Sequence, residues 1–280
     1  MALPADSHVH SQWSWDARLG DMEATCERAL DLGLPAVVFT EHLDFSHWWV
    51  EESDLVGVEH LRKYVGEDGE LAPPMLDLTG YISAVHRCRI LFPGLHILTG
   101  VEFGDPHRNA DEAEALLETV ALDRVLGSLH TLQDGDRLYE PPGLFRRKPA
   151  PEVMRDYLAE ASRLIQESDV FDVFAHIDYA VRYWPRDADP FEPRDFEEPF
   201  RRALRLLAGS GRALEVNTRV PLAPTILDWW REEGGAALSF GSDAHDPSVL
   251  ARGLAEAAEL AEEHGFRPGA EPGDLWVRTP

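Results

Sequence analysis

Short apolar runs rich in β-branched residues recur along the chain and predict parallel β-strands. Continuous runs of this kind are typical of strands that are buried on both faces of a sheet. The clearest runs are Ala36–Thr40, His96–Val101, Arg124–Ser128, Val170–Ala175, Ala213–Val216 and Ala237–Gly241. A shorter run that ends at His8 brings the number of predicted strands to seven.

Segments with helical periodicity lie between these runs. The predicted helices are Met22–Leu32, Tyr81–Phe92, Asp111–Val120, Pro151–Glu167, Pro193–Ala208, Pro224–Glu233 and Ser248–His264. Several begin with Pro, Asp or Ser, which suit the first turn of a helix. Repeated alternation of strand and helix implies parallel βαβ units. Seven such units favour a closed or nearly closed α/β barrel over an open sheet.

The length of 280 residues is compatible with one barrel domain that spans residues 1–280, because α/β barrels commonly reach about 250 residues as a single unit. Three long segments follow predicted strands, at about residues 46–79, 131–150 and 177–195. Long structured segments in such positions usually carry lids or specificity elements. We therefore expect all three to lie over a functional site.

The charge is strongly acidic, with 26 Lys and Arg residues against 51 Asp and Glu residues and a net charge of −25. This balance argues against non-specific binding to long nucleic acid or to an anionic membrane. A nucleotide held by a local basic pocket stays compatible with it.

Cysteine content and hydropathy indicate the cellular compartment of the protein. Only Cys26 and Cys88 are present and neither has a CxxC neighbour, so neither a disulfide framework nor a thiolate metal site is expected. No apolar segment reaches the roughly 18 residues of a membrane span, and no basic and apolar leader opens the chain. These features fit a reducing cytoplasm.

Imidazole and carboxylate side chains follow strand after strand. Side chains of these types bind divalent metals. The candidates are His8, His10, Asp16, His42, Glu102, His130, His176, Asp243 and His245. In a barrel the ends of the strands form one face, where barrel enzymes build their sites. The nine side chains therefore predict one multinuclear metal site, because a single zinc ion takes only about four ligands.

Spacing strengthens this prediction at both ends of the chain. His8 and His10 are two residues apart, so in an extended segment their imidazoles face the same side. Asp243 and His245 repeat that spacing at the last strand, which neighbours the first when a barrel closes. Glu102 ends an apolar run, and its two oxygens could bridge two cations.

Seven motifs together resemble the PHP (polymerase and histidinol phosphatase) family of metal-dependent phosphoesterases. In chain order they read D-S-H-V-H-S, T-E-H-L-D, G-V-E-F, G-S-L-H-T, A-H-I-D, E-V-N-T and G-S-D-A-H-D, from residue 6 to about residue 265 with the helix that follows the last motif. That last motif and its helix are similar to the histidinol-phosphatase branch in particular. The resemblance implies a distorted (β/α)7 TIM-like barrel that carries three divalent metal ions, variously zinc, manganese or iron in different members.

The resemblance also implies how the ligands divide. The three metals would be bound by His8, His10, Glu102 and Asp243, by Glu102, His130 and His176, and by Asp16, His42 and His245. Metals of this kind activate water at neutral pH and neutralise charge on phosphate. Either Asp243 or His245 would pass a proton to the leaving oxygen.

Arginines that closely follow two motifs are the candidates for binding phosphate. Arg182 and Arg219 could each form paired hydrogen bonds with phosphate oxygens, and Asn217 ends the strand that precedes Arg219. The leading function is therefore hydrolysis of a small phosphomonoester, above all L-histidinol phosphate. Two alternatives stay open, namely a PHP-type phosphoesterase for a nucleotide, short oligonucleotide or other small phosphate ester, and a non-catalytic barrel that binds a phosphorylated ligand. The sequence leaves the oligomeric state open.

Overall fold

A curled sheet of nine strands forms the centre of the molecule. The computed structural model describes residues 3–278, apart from the side chains of residues 113 and 114, so both ends of the predicted 1–280 domain lie outside the described residues. The strands are Asp6–Val9 (β1), Ala36–Asp44 (β2), His96–Gly104 (β3), Arg124–Ser128 (β4), Val173–Phe174 (β5), Ala213–Asn217 (β6), Ala237–Gly241 (β7), Phe266–Arg267 (β8) and Trp276–Arg278 (β9). Their order in the sheet is β1-β2-β3-β4-β5-β6-β7-β9-β8.

Strands β1 to β7 are parallel to one another, and each overlaps one of the predicted apolar runs. The sheet curls until β1 meets the segment that follows β7. There Val9 forms a parallel bridge with Ala244, and the Asp243 amide donates to the His8 carbonyl oxygen at 2.8 Å. The fold is therefore α/β with a TIM-like barrel, and the first and last motifs lie side by side.

The structure differs from the sequence prediction at the last strands and in the lengths of several earlier strands. Strands β8 and β9 are antiparallel, and Trp276 and Val277 of β9 pair with the first residues of β7. Because β9 pairs with the first residues of β7, β1 can approach only the C-terminal end of β7. Strands β2 and β3 extend past their apolar runs because their pairing continues, whereas β5 is shorter than predicted.

Helices cover the outer face of the sheet. They are Met22–Leu32 (α1), Leu78–Leu91 (α2), Ala110–Leu117 (α3), Pro141–Phe145 (α4), Ala150–Glu167 (α5), Glu197–Ser210 (α6), Pro224–Glu232 (α7) and Leu254–Glu263 (α8). Helix α8 begins six residues later than predicted, because Ala251 and Gly253 adopt positive φ angles of 59° and 74°. Helix α6 is preceded by a 3-10 turn over Pro193–Phe196, where the sequence predicted α-helix.

Apolar residues between the helices and the sheet form the core. Helix α5, for example, buries Val153, Met154, Tyr157 and Leu158 against it. The thiols of Cys26 and Cys88 lie in this core as free cysteines. Within residues 3–278, no helix is both long enough and apolar enough to cross a membrane.

Tyr81 of α2 ties the helix layer to the sheet, and its loss should measurably destabilise the fold. Its buried hydroxyl lies 2.8 Å from the Phe39 carbonyl oxygen and accepts from the Gly100 amide at 2.9 Å. We expect Tyr81→Phe to lower the free energy of unfolding by about 1–3 kcal/mol, because it leaves buried backbone groups unpaired. Urea denaturation measures this change.

Tyr64→Phe is the matched control for this substitution. The Tyr64 side chain is half-buried, and its hydroxyl forms no hydrogen bond within residues 3–278. Its removal should change the unfolding free energy by less than about 0.5 kcal/mol. Equal effects of the two substitutions would show that the Tyr81 hydroxyl does not stabilise the fold.

Candidate metal centre

The C-terminal ends of the strands bring all nine predicted metal ligands together. The parallel register does much of this, since the Cα atoms of His42 in β2 and Glu102 in β3 are direct partners. The meeting of β1 with the segment after β7 places His8 and His10 beside Asp243. His42 and Glu102 lie inside extended strands rather than after them, which differs from the sequence prediction.

Glu102 lies at the centre of the cluster, buried, with its two oxygens facing different histidines. Its Oε2 atom is 3.2 Å from His8 Nε2 and 3.3 Å from His10 Nε2. Its Oε1 atom is 3.0 Å from His130 Nε2 and 2.7 Å from His176 Nε2. This is the arrangement of a carboxylate that can bridge two cations.

The side of the cluster that Oε2 faces also includes Asp243. His8 Nε2 and His10 Nε2 are only 3.1 Å apart and point to the same place. Asp243 Oδ1 lies 3.9 Å from the former and 3.6 Å from the latter. Four donors from β1, β3 and the end of β7 therefore converge on one position.

Asp16, His42 and His245 form a third group beside the first. Asp16 Oδ2 is 3.4 Å from His42 Nε2 and 3.1 Å from His245 Nε2. The His10 ring packs against both imidazoles, with its centroid 4.3 Å from that of His42 and 4.1 Å from that of His245. The three groups thus share one continuous cluster.

The Nδ1 atoms of several ligands are engaged on the outside of the cluster. His8 Nδ1 contacts Glu215 Oε1 at 2.7 Å, His10 Nδ1 contacts Ser14 Oγ at 3.0 Å, and His245 Nδ1 contacts the Asp243 carbonyl oxygen at 3.0 Å. Such outer contacts fix the tautomer of a metal-binding histidine. They leave the Nε2 lone pairs directed at the centre.

The donor set fits divalent cations. Mixed imidazole and carboxylate groups suit zinc, manganese and iron alike. Within the described residues, Asp16 Oδ1 is buried without a hydrogen-bond partner, as expected for an oxygen that binds a cation. The donor atoms of His8, Glu102 and His176 all lie within 4.8 Å of one another, and so do those of His8, His10 and Asp243.

The protonation of the cluster reflects its crowded carboxylates. Burial by itself would lower the pKa of His8, but Glu215, Glu102 and Asp243 raise it well above 6.5. Burial likewise opposes the shift at His42, whose pKa Asp16 and Glu102 raise to about 10. The carboxylates therefore attract positive charge to this position, whether as protons or as metal ions.

Two ligands have strained backbone conformations. His176 has a φ angle of 24° and Asp243 one of 54°, both in the region that favours glycine. Such conformations persist only where surrounding structure fixes them, and they cluster at functional sites. The Asp243-Ala-His245 segment is therefore not the simple extended repeat of His8-Val-His10 that its spacing predicted.

Glu215 is a buried carboxylate of the site that the sequence analysis did not identify. Besides His8, it accepts from the His176 amide at 2.8 Å and from Asn217 Nδ2 at 3.1 Å. Strand β7 leaves room for it only because residue 241 is glycine. A Cβ atom at Gly241 would lie 2.3 Å from Glu215 Oε1 and 2.3 Å from His8 Cβ.

Asp44 at the end of β2 is a second missed carboxylate. Its Oδ2 atom lies 3.6 Å from His42 Nδ1 and accepts from Trp15 Nε1 at 2.9 Å, and its Oδ1 atom lies 3.6 Å from His130 Nδ1. Asp44 therefore lies close to imidazoles from two of the predicted ligand groups. The T-E-H-L-D motif contains this residue, but the sequence analysis gave it no role.

The three substrate-binding candidates occupy different surroundings. Arg182 is largely buried, and its guanidinium contacts Asp243 Oδ2 at 2.6 Å. Arg219 is half-exposed, with Nη1 3.4 Å from Asp243 Oδ1. Asn217 does not line the cavity. It is buried, and its amide is occupied by Glu215 and the Arg219 backbone, so the structure makes it a support of the site rather than a contact for substrate.

A cavity of about 330 Å³ lies over the cluster, and all three long segments contribute to its wall. The first segment supplies Trp48 and Asp54, the second supplies Glu140, and the third supplies Tyr179 and Arg182. The side chains of Glu102, His130 and His176 form its floor. A small molecule in this cavity would therefore touch the clustered histidines.

The sequence matches one family model and several relatives. A model described as PHP domain matches residues 6–219. A histidinol-phosphatase from Lactococcus lactis subsp. lactis is 26% identical over 269 residues, covering 93% of this chain and 91% of that protein. A probable histidinol-phosphatase from Deinococcus radiodurans is 28% identical over 274 residues, covering 94% of each.

Solved structures show the same fold. The crystal structure of histidinol phosphate phosphatase from Lactococcus lactis subsp. lactis, complexed with zinc, L-histidinol and phosphate, has a TM-score of 0.81 at 24% identity and covers 98% of this chain and 99% of that one. The structure of a putative histidinol phosphatase from Listeria monocytogenes has a TM-score of 0.71 at 18% identity, covering 90% and 99%. At these identities the likeness supports the barrel architecture.

Proposed function

The chain belongs to the PHP domain family. We propose that it is a metal-dependent phosphomonoesterase that hydrolyses L-histidinol phosphate to L-histidinol and phosphate, a reaction of histidine biosynthesis. The main support for this proposal is the buried Glu102, whose two oxygens contact different histidines. The cavity above it is also lined by Arg182. Relatives named histidinol-phosphatase match the chain over nearly its whole length.

We further propose that the centre binds three divalent ions, zinc, manganese or iron. Their ligands would be His8, His10, Glu102 and Asp243 for the first, Glu102, His130 and His176 for the second, and Asp16, His42 and His245 for the third. Bound metal ions supply an activated water and neutralise phosphate charge. The structure of the Lactococcus relative contains zinc.

The side chains around the centre orient the substrate and move a proton. Arg182 and Arg219 flank Asp243 and would donate to the phosphate oxygens, so that the phosphorus faces the cluster. Asp243 and His245 lie at the rim of the cavity, where either could deliver a proton to the leaving oxygen. Different pH profiles of kcat in Asp243→Asn and His245→Asn would identify the proton donor.

We also propose that the whole chain is one PHP barrel domain of the distorted (β/α)7 type, with the segments 46–79, 131–150 and 177–195 over the site. Parallel strands β1 to β7 and the residues that these segments add to the cavity support this organisation. A cytoplasmic location is part of the proposal, since Cys26 and Cys88 are free thiols.

The test is a comparison of substrates with purified, metal-loaded protein. Turnover of L-histidinol phosphate should clearly exceed that of p-nitrophenyl phosphate, of a 3′,5′-bisphosphonucleotide and of short oligonucleotides. A kcat/KM for L-histidinol phosphate no better than that for p-nitrophenyl phosphate would overturn the substrate assignment. Preference for a nucleotide would replace it with another PHP-type activity.

Glu215 should hold the centre together, and its loss should weaken metal binding. Glu215→Gln takes the charge away from His8 Nδ1 and disturbs the acceptor of the His176 amide. We expect a fall in affinity for Zn²⁺ of about 10- to 100-fold, the usual effect of losing an outer partner of a ligand. Competition with a chelating dye measures this affinity without any assay of activity.

Glu256→Gln is the control for this measurement. Glu256 is exposed on α8 and forms no ion pair with any described residue. Its substitution removes the same charge and should leave the affinity unchanged. An unchanged affinity in Glu215→Gln as well would mean that His8 needs no outer carboxylate.

A further inference from the structure

The cavity above the cluster is lined by side chains of both charges. Arg182 and Arg219 line it beside Asp243, whereas Glu140 and Asp54 line it elsewhere, supplied by the second and the first long segment. Asp54 already has a counter-ion, because Arg146 contacts both of its oxygens at 2.7 and 2.6 Å. Glu140 therefore differs from its acidic neighbour.

Glu140 has no directly paired cation among the described residues, and the His130 imidazole attracts its charge without forming an ion pair with it. No Lys, Arg or His side chain within residues 3–278 forms an ion pair with Glu140, and its Oε1 atom accepts only from the Tyr179 hydroxyl, at 2.9 Å. Burial raises the pKa of this carboxyl above its ordinary value. His130 and the Tyr179 hydroxyl oppose this rise, whereas Asp44 and Asp54 add to it. An unpaired carboxylate in such a place is costly unless a ligand supplies positive charge.

Two tyrosine rings lie next to Glu140, and other aromatic rings line the cavity. The ring centroids of Tyr179 and Tyr183 are 5.4 Å apart, and Tyr179 also packs 5.2 Å from His130. Trp15 and Trp48 line the cavity as well. Faces of such rings attract organic cations, so the wall and the carboxylate favour the same kind of ligand.

We propose that Glu140 is a specificity-determining residue that binds the positively charged nitrogen of the leaving alcohol, so that this site selects phosphate esters of cationic amino alcohols over those of neutral alcohols. The inference rests on the proposed function and deepens it. L-Histidinol phosphate carries an ammonium group on the carbon next to the one that bears the phosphate ester, and an imidazole beyond it. Its phosphate would lie by Arg182 and Arg219 and its cation by Glu140.

The test compares wild-type holoenzyme with Glu140→Gln on matched substrates. Glutamine still accepts from the Tyr179 hydroxyl, so the substitution removes the charge and little else. We expect kcat/KM for L-histidinol phosphate to fall by about 10- to 100-fold, chiefly through KM, as for a lost partner of a desolvated charge pair. The kcat/KM for p-nitrophenyl phosphate should stay unchanged.

Asp136→Asn is the matched control variant. Asp136 lies on the same segment, exposed in the turn four residues before Glu140, and its substitution removes the same charge. It should leave both substrates unaffected. An equal loss for p-nitrophenyl phosphate and L-histidinol phosphate in Glu140→Gln would overturn the inference, since it would indicate a structural role. Unchanged kcat/KM for both would overturn it too.

Two further substrate pairs separate this inference from the proposed function. The des-amino analogue of L-histidinol phosphate keeps the imidazole, so a loss on it as well would identify imidazolium as the bound cation, whereas a loss confined to the parent ester would identify the ammonium group. Phosphoethanolamine and ethyl phosphate differ by the ammonium group alone. If wild type does not prefer L-histidinol phosphate, the proposed function fails. The inference still stands if Glu140→Gln abolishes a preference for phosphoethanolamine, and it fails if no such preference exists or if the preference survives.

Discussion

Substitution of Glu102 by Gln should remove nearly all phosphatase activity. The two oxygens of Glu102 face different histidine groups at close range, His8 and His10 on one side and His130 and His176 on the other. Glutamine keeps the volume but loses the charge and one acceptor oxygen. We expect kcat/KM for L-histidinol phosphate to fall by more than about 100-fold, the upper end of losses seen for outer partners of ligands.

Metal content and folding must be measured with this activity. Glu102→Gln should bind fewer metal ions per chain by elemental analysis and yet unfold cooperatively in urea. Glu118→Gln, an exposed acid just beyond α3, is the control and should keep both activity and metal. A Glu102→Gln enzyme with full activity and full metal content would show that the bridging position is not used.

The positions of the strands and of the clustered ligands could be predicted from sequence because both follow local rules. Buried parallel strands require continuous apolar runs, and side chains after such runs meet at one end of a barrel. His130 and His176 illustrate this, since each directly follows an apolar run and each now contacts Glu102. The pairing of His8 with His10 needed only the two-residue period of an extended chain.

Glu215 could not be predicted in this way because its role depends on tertiary register. In the segment A-L-E-V-N it reads as an ordinary acid in a strand. Its contact with His8 arises from a pair of residues 207 positions apart and from the glycine at 241. The sequence did contain a signal for this role. It was an acid inside a strand that supplies no predicted metal ligand, together with the Gly that ends the next apolar run.

The edges of the barrel escaped prediction for a different reason. Strands β8 and β9 are two and three residues long, and Arg267 and Arg278 break any apolar run there. Asn217 has the right spacing for a substrate contact, but its side chain points to Glu215 instead. A partner distant in sequence determines the pairing of β9, whereas the Asn217 side chain is held by Glu215 and the Arg219 amide, each two residues away.

Removal of the metal should have the second large effect, on activity and on stability together. Without cations, at least four carboxylates, Asp16, Glu102, Glu215 and Asp243, share one buried cluster with imidazoles. Dialysis against a chelator should abolish turnover of L-histidinol phosphate. It should also lower the melting temperature, since a cation at 100 times its dissociation constant adds about 2.7 kcal/mol of stability at each site.

Restoration with single metals then tells which ions serve the centre. Calorimetry should show the lower melting temperature returning to its holoenzyme value as Zn²⁺, Mn²⁺ or Fe²⁺ is added, with activity returning in parallel. Mg²⁺ should restore little of either, because it prefers all-oxygen octahedral sites and this cluster is rich in imidazole. Full activity after exhaustive chelation, with no metal left by elemental analysis, would contradict a metal-dependent reaction. A stability change without an activity change would assign the ions a structural role only.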